Sequence, residues 1–324
     1  MTRLLVIAIA FIVYGSLYPW EFRPAPPGQS ALDVLLHSWP AQLTNSDIGD
    51  IVVNLIVYVP VGMFGFLALD RTRRERLRWV TPVLLAFALS ASMELLQVYD
   101  RTRVASLLDL LTNTLGALAG TFLGFLFRRT MYQGMFLVLY WLAFQIVAAC
   151  AELIGKRAKP AFGLLDTASY AAAWAVAIYM AAKPAAAFVR AKRELALAIL
   201  FFAVITVRGL APFHLQRYPT PFIWIPMHTL LSTEWIIGLP TFFEKSFYYG
   251  AAIWLYRSAG LTLTAATALV AIPLAMIEII QRYLPGRTPE TTDPFLAVML
   301  GCMLWLIEQD YARIKQSDLR KLTT

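Results

Sequence analysis

A chain of 324 residues that is 59% hydrophobic and only 15% charged lies outside the range of ordinary soluble domains, in which about a quarter of residues are charged. Its mean hydropathy of +0.62 and long apolar runs, such as Leu4 to Tyr18, Val83 to Met93, Leu115 to Phe127 and Leu195 to Val207, exclude amphipathic helices packed in water and point to lipid as the solvent. The formal net charge of +8 does not imply nucleic acid, because the basic residues cluster between apolar runs, as the positive-inside rule expects.

In chain order, the apolar runs predict about ten spans. Their limits are 4–19, 49–69, 80–98, 106–127, 131–152, 162–182, 194–213, 243–257, 261–280 and 293–309. The first could be taken for a signal peptide core. However, Tyr18-Pro19-Trp20-Glu21-Phe22 follows it where small cleavage-site residues should stand, so it reads as a retained helix. Glu244 and Lys245 shorten the apolar part of the eighth span.

The basic clusters set the expected orientation. Arg71, Arg73, Arg74, Arg76 and Arg78 follow span two, and Arg128 and Arg129 follow span four. Lys183, Arg190, Lys192 and Arg193 follow span six, with Arg313, Lys315, Arg320 and Lys321 in the tail. All fall on one side if both termini are cytoplasmic. Lys156, Arg157 and Lys159 fall on the other. The two long outer segments, Trp20 to Asp47 and His214 to Thr241, carry Trp20, Trp39, Trp224 and Trp235, which read as interfacial anchors. Within them, residues 32–36 and 229–231 read as short helices lying on the membrane surface.

Cys150 and Cys302 sit in apolar runs and imply no disulfide framework. His37, His214 and His228 share no metal-ligand spacing, so neither a metal nor a cofactor is expected.

An internal repeat carries the sharpest signal. Span three ends in Glu94-x-x-Gln97 with Arg103 and Asp109 following, and span nine ends in Glu278-x-x-Gln281 with Arg287 and Asp293 at the same spacing. Leu17-Tyr18-Pro19-Trp20 also resembles Leu210-Ala211-Pro212-Phe213. The expected organisation is therefore a first unit at 1–130, a linking transmembrane hairpin at 131–193, a second, degenerate unit at 194–310 and a cytoplasmic tail at 311–324. Each unit would hold four spans, so both would point the same way about a pseudo-two-fold axis along the membrane normal. The copies are unequal: Asn113 follows Asp109 by one turn, where Ala297 follows Asp293. Gly116, Gly120 and Gly124 face only Gly301 in the second copy, and Asp50 and Asn54 have no secure counterpart.

The pattern of Asn54 with Pro60 and Gly62, then Glu94-x-x-Gln97, Arg103, Asp109 and Asn113 before a glycine-rich helix, resembles the VanZ-like family of bacterial membrane proteins. The resemblance covers residues 50 to 127 well and the second copy only through Glu278, Gln281, Arg287 and Asp293. It implies an all-α protein of the bacterial cell membrane. It also implies an association with lowered sensitivity to lipid-tailed glycopeptides, and it supplies no reaction.

Glu94 and Gln97 share one helix face, and Asp109 and Asn113 another. In the expected topology Asp50, Asn54, Glu94, Gln97, Arg103, Asp109 and Asn113 all lie at the outer ends of spans two to four. A charged group at depth in lipid costs roughly 2.5–3.5 kcal/mol, so such residues usually face a bundle interior or a hydrated cavity. Structural readings stand beside this one. Ser106-x-x-Asp109 is a capping box, Asp293-Pro294 reads as an N-cap with proline at the first helical position, and the arginines can neutralise Glu94 and Glu278. The glycine stripe reads as packing.

Three functions fit this constellation. The first is a pocket that binds a membrane lipid or envelope glycolipid head group, with Arg103 on an anionic group and Glu94, Gln97 and Asn113 on hydroxyls or amines. The second is an envelope-lipid enzyme using Glu94 and Asp109 as an acid–base pair. The third is a transporter, which two parallel units would suit. The missing nucleophile disfavours the enzyme, and the eroded second copy disfavours transport, so binding is the preferred expectation.

Overall fold

The computed structural model describes residues 1–24, 28–70, 74–128, 132–153, 164–182 and 191–322. Arg71, Arg73, Arg129, Lys156, Arg157, Lys159, Lys183 and Arg190, all part of the orientation pattern, lie outside the described residues. Among those described, the regular elements are the helices α1 (Thr2–Leu17), α2 (Ala31–Leu36), α3 (Asn45–Leu69), α4 (Glu75–Gln97), α5 (Leu107–Phe127), α6 (Gln133–Leu153), α7 (Leu164–Ala182), α8 (Ala191–Leu210), α9 (His228–Ser232), α10 (Trp235–Ser258), α11 (Leu263–Gln281) and α12 (Thr292–Leu322). Two isolated β-bridges are the only other pairing among them.

The chain is an all-α membrane protein. Asp47–Leu69, Glu75–Gln97, Leu107–Phe127, Gln133–Glu152 and Leu263–Gln281 are long and apolar enough to cross a membrane by length and composition. The other expected spans fall outside that set. α1 has 16 residues, short of the roughly 20 that a full span needs. α8 carries Glu194 and Arg208, and α10 carries Glu244, Lys245 and Arg257. The expected surface helices are α2 and α9.

The chain divides into two compact units, Met1–Met131 and Tyr132–Thr324. Helices α6 and α7, expected as a linking hairpin, fall within the second.

In the first unit, α3 and α5 pack at backbone contact. A methyl group added to Gly62 would overlap the Ala117 carbonyl oxygen, one on Gly116 the Leu55 oxygen, and one on Gly120 the Val59 oxygen. Glycine is needed at these positions because the helices approach too closely for any side chain. The stripe of Gly116, Gly120 and Gly124 is thus a packing surface. At the far end of these helices, Trp79 packs edge to face on Phe66 (centroids 5.3 Å apart) and beside Phe125 (5.3 Å). The Arg128 guanidinium lies 4.4 Å from the Phe125 ring centre, a cation–π geometry.

Helix α3 begins with a capping box. Thr44 Oγ1 accepts from the Asp47 N–H (3.3 Å), and Asp47 Oδ2 accepts from the Thr44 N–H (2.7 Å), satisfying donors that a helix start leaves open. The short helix α2 seats Leu35 against Val98 and Ala105. Ser38 just after it donates to the Leu35 carbonyl (2.6 Å) and accepts from the Leu107 N–H (2.8 Å), holding the start of α5.

In the second unit, α10 packs against α6, α8, α11 and α12. Trp141 of α6 is fully buried, with ring centres of Phe247 at 5.0 Å, Phe144 at 5.1 Å and Trp174 at 5.7 Å. Arg257 Nη2 pairs with Glu308 Oε1 at 2.6 Å, joining α10 to α12. Gln133 Nε2 donates to the Leu304 carbonyl at 2.9 Å, joining α6 to α12.

Candidate functional site

The last turn of α4 places Glu94 and Gln97 beside the end of α1 and the start of α5. Gln97 Nε2 donates to the Ser16 carbonyl at 2.9 Å. Arg103 donates through Nη2 to the Gly15 carbonyl (3.1 Å) and through Nε to the Tyr18 carbonyl (3.3 Å). A helix leaves its last carbonyls without intrahelical partners, and these two side chains satisfy that need for α1. Glu94, only 3% exposed, accepts the Ser106 N–H on Oε2 at 2.8 Å. The arginine therefore does not neutralise Glu94, as one sequence reading allowed. The carbonyls at the end of α1 lie within its reach and draw it instead.

The same contacts recur in the second unit. Gln281 Nε2 donates to the Gly209 carbonyl at 2.9 Å. Arg287 donates to Arg208 O (2.7 Å) and Ala211 O (2.9 Å). Glu278 Oε2 accepts the Glu290 N–H at 2.8 Å. The chain leaves α1 and α8 in the same way, with Trp20 (φ 70°) and Phe213 (φ 64°) each in the left-handed region after a cis X-Pro peptide. In both units the E-x-x-Q…R pattern is a clasp that fastens the end of an earlier helix.

Beside the clasp the units differ. In the first, Asp109 stands in the opening turn of α5, where Ser106 Oγ accepts its N–H at 3.3 Å. The expected cap is present. Asn54 hydrogen-bonds the Asp109 side chain, and Asp50, one turn earlier on α3, is its charged neighbour. Tyr58, one turn further along α3, neighbours Ser90 and Glu94. Asn113 donates from Nδ2 to Ser90 Oγ at 2.9 Å. It is 4% exposed, and its Oδ1 is buried without a hydrogen-bond donor. Among the described residues, no lysine or arginine pairs with Glu94 or Asp109. All seven expected residues thus lie at one end of α3, α4 and α5. Gln97 and Arg103 turn to α1, Glu94 turns to Ser106, and Asp50, Asn54, Asp109 and Asn113 make up the remainder.

In the second unit, Lys245 Nζ pairs with Asp293 Oδ1 at 2.6 Å, and the Tyr249 hydroxyl donates to Asp293 Oδ2 at 2.6 Å. Lys245 and Tyr249 are four residues apart on α10, as Asn54 and Tyr58 are on α3. Thr241 precedes Lys245 by one turn, where Asp50 precedes Asn54. Asp293 is not the N-cap that its neighbour Pro294 suggested. Helix α12 begins at Thr292, and the buried Asp293 carboxylate is taken by the nearest cation and phenol. Nearby, Arg208 pairs with Glu244, and its Nε lies 3.5 Å from Asp166 Oδ1.

Sequence reasoning missed Ser38, Tyr58, Ser90 and Tyr249, and it read Lys245 only as a break in a span. The shared four-residue spacing of Asn54/Tyr58 and Lys245/Tyr249 was the one available signal. Residues 2–128 match the family model described as VanZ/LLP1. No curated protein and no solved structure matches the chain.

Proposed function

Residues 2–128 form a VanZ-like domain in a multi-pass helical membrane protein, and from that premise we propose that this domain binds the head group of a cell-envelope lipid or glycolipid. The observation that carries the reading is the cluster at one end of α3, α4 and α5. Asp50, Asn54 and Asp109 lie together there, next to a buried Asn113 acceptor that has no donor. Ionisable residues within membrane segments are functional hypotheses by default.

Arg103 and Gln97 take the supporting part in this reading, because their contacts hold the end of α1. Asp50, Asn54, Asp109 and Asn113 take the contacts to ligand. The cluster faces the outer leaflet: Arg74, Arg76, Arg78 and Arg128 sit at the opposite end of α4 and α5, where the positive-inside rule places the cytoplasm. The matching geometry of the two clasps supports reading 194–310 as a second copy of the same unit. An envelope lipid held at the outer face is a route to altered sensitivity to lipid-tailed glycopeptides.

Lipid profiling of the purified chain tests the reading. Wild type is expected to retain one head-group class enriched about tenfold over its share of the membrane, and Asp50→Asn with Asp109→Asn is expected to lose that enrichment, a change of about 1.4 kcal/mol. Retained lipid that is the same in both proteins would overturn binding at this cluster. Conversion of the retained lipid during incubation would favour the enzymatic reading instead.

A further inference from the structure

Residues 211–226 of the second unit, which neither the clasp nor the head-group site uses, expose Phe213, Leu215, Tyr218, Trp224 and Ile225, with Tyr218 and Trp224 at 74% and 77%. We propose that this segment is an interfacial strap, whose apolar side chains enter the phospholipid leaflet at the Gln281 end of α11 while Arg217 lies among the lipid phosphates. The contact belongs to the second unit and does not depend on lipid binding in the first.

The height of the strap is set by its backbone. The Gln216 N–H donates to Tyr283 O (2.7 Å), the Thr220 N–H to Arg282 O (2.7 Å) and the Ile223 N–H to Pro289 O (3.0 Å). Helix α11 is long and apolar enough to cross a membrane, and it ends at Gln281. Residues 282 and 283 follow that end directly, within one turn at about 1.5 Å of rise per residue, so the strap is tied where the hydrocarbon gives way to head groups. Gln216 Nε2 donates to Arg282 O (3.1 Å) and Arg282 Nε to Thr220 O (3.4 Å). With these polar groups satisfied inward, the outward side chains can meet lipid without stranding a backbone donor there.

Lipid is the occupant that fits. An exposed apolar patch marks a protein or membrane contact, and at this height the surroundings are the head-group boundary, which favours tryptophan and tyrosine rings. Charge agrees: between Leu210 and Met227 the chain carries Arg217 and His214 but no carboxylate. The exposed Arg217 guanidinium lies 5.7 Å from the Tyr218 ring centre, and a guanidinium can hold phosphate while stacking near an aromatic face. The short helix α9, expected from the sequence to lie on the membrane here, is a poorer fit. Its Leu230 and Leu231 are half-buried, and Glu290 accepts the Thr229 N–H (3.2 Å).

Nitroxide labels on Leu215→Cys and Tyr218→Cys, each in the full chain with Cys150→Ala and Cys302→Ala, measure depth in phosphatidylcholine–phosphatidylglycerol nanodiscs by relaxation with oxygen and with a water-soluble nickel chelate. Both positions are exposed, so the labels leave the core untouched. They are expected about 5–10 Å below the phosphates, the depth of interfacial apolar faces. Adding Arg217→Glu is expected to lift the Leu215 label toward water, because a carboxylate meets the phosphates with like charge. Photocrosslinking from p-benzoylphenylalanine at Tyr218, which needs no cysteine change, is expected to give lipid adducts.

Labels relaxed more by nickel than by oxygen would overturn entry into the leaflet. Labels shielded from both reagents, or crosslinks to protein alone, would overturn lipid as the occupant. A depth unchanged by Arg217→Glu would overturn the phosphate contact.

Discussion

Arg103→Met is expected to lower the stability of the first unit by about 3–6 kcal/mol, from two hydrogen bonds of a charged donor at about 1.5–3 kcal/mol each. The side chain holds Gly15 O and Tyr18 O, and no neighbour described here replaces it. The lost bonds free the last turn of α1, and the break leaves part-buried carbonyls without donors. Arg287→Met should do the same to the end of α8 through Arg208 O and Ala211 O. Thermal unfolding in detergent, followed by fluorescence or circular dichroism, measures both. If the arginine were a ligand contact and not a clasp, Arg103→Met would leave stability within the scatter of surface substitutions and impair only binding.

Gly120→Val is the second large effect. A Cβ at Gly120 would overlap the Val59 carbonyl oxygen, and the next nearest atoms are also backbone. No rotamer change relieves a clash with backbone, so α3 and α5 must separate. Overpacking of this kind costs about 1–3 kcal/mol, and more where the neighbours cannot yield. The separation also moves Asn54 away from Asp109, so loss of lipid retention is expected along with the loss of stability. Gly260→Val serves as the comparison for crowding, because nothing lies within 4 Å of a Cβ there, although its φ of +103° adds backbone strain of its own. A Gly120→Val protein with wild-type stability and binding would show that the two helices do not depend on that contact.

These effects explain which features the sequence displayed. Long apolar runs announce membrane helices because the period and length of the pattern are properties of the chain alone, and α3, α4, α5, α6 and α11 follow directly. The E-x-x-Q…R…D spacing was equally visible. Its chemistry was not, because Gln97 and Arg103 bind the carbonyls of Gly15, Ser16 and Tyr18, and a backbone carbonyl has no sequence signature. Pairing each arginine with a glutamate was one reading that the spacing allowed, and geometry overrode it. The Ser106 cap on α5 was legible because capping is local. Asp293 was not, since its partners Lys245 and Tyr249 lie on a helix distant in sequence. The glycine stripe was legible as packing, while its partner surface on α3 was not.

A repeated motif invites a functional reading of each residue in it, yet here the repeated residues are the clasp. Beside the clasp the two units diverge, with Asn54 against Lys245 and Asp50 against Thr241. The unit with the buried, unpaired Asn113 oxygen is the one whose residues 2–128 match the VanZ/LLP1 family model.

Counting lipids retained per chain by native mass spectrometry, after mild release from the membrane, tests this account most directly. The prediction is one tightly held lipid on wild type, still one on Asp293→Asn, and none on Asp109→Asn, as expected for a single site in the first unit. A lipid that survives Asp109→Asn, or one that is lost with Asp293→Asn, would contradict it.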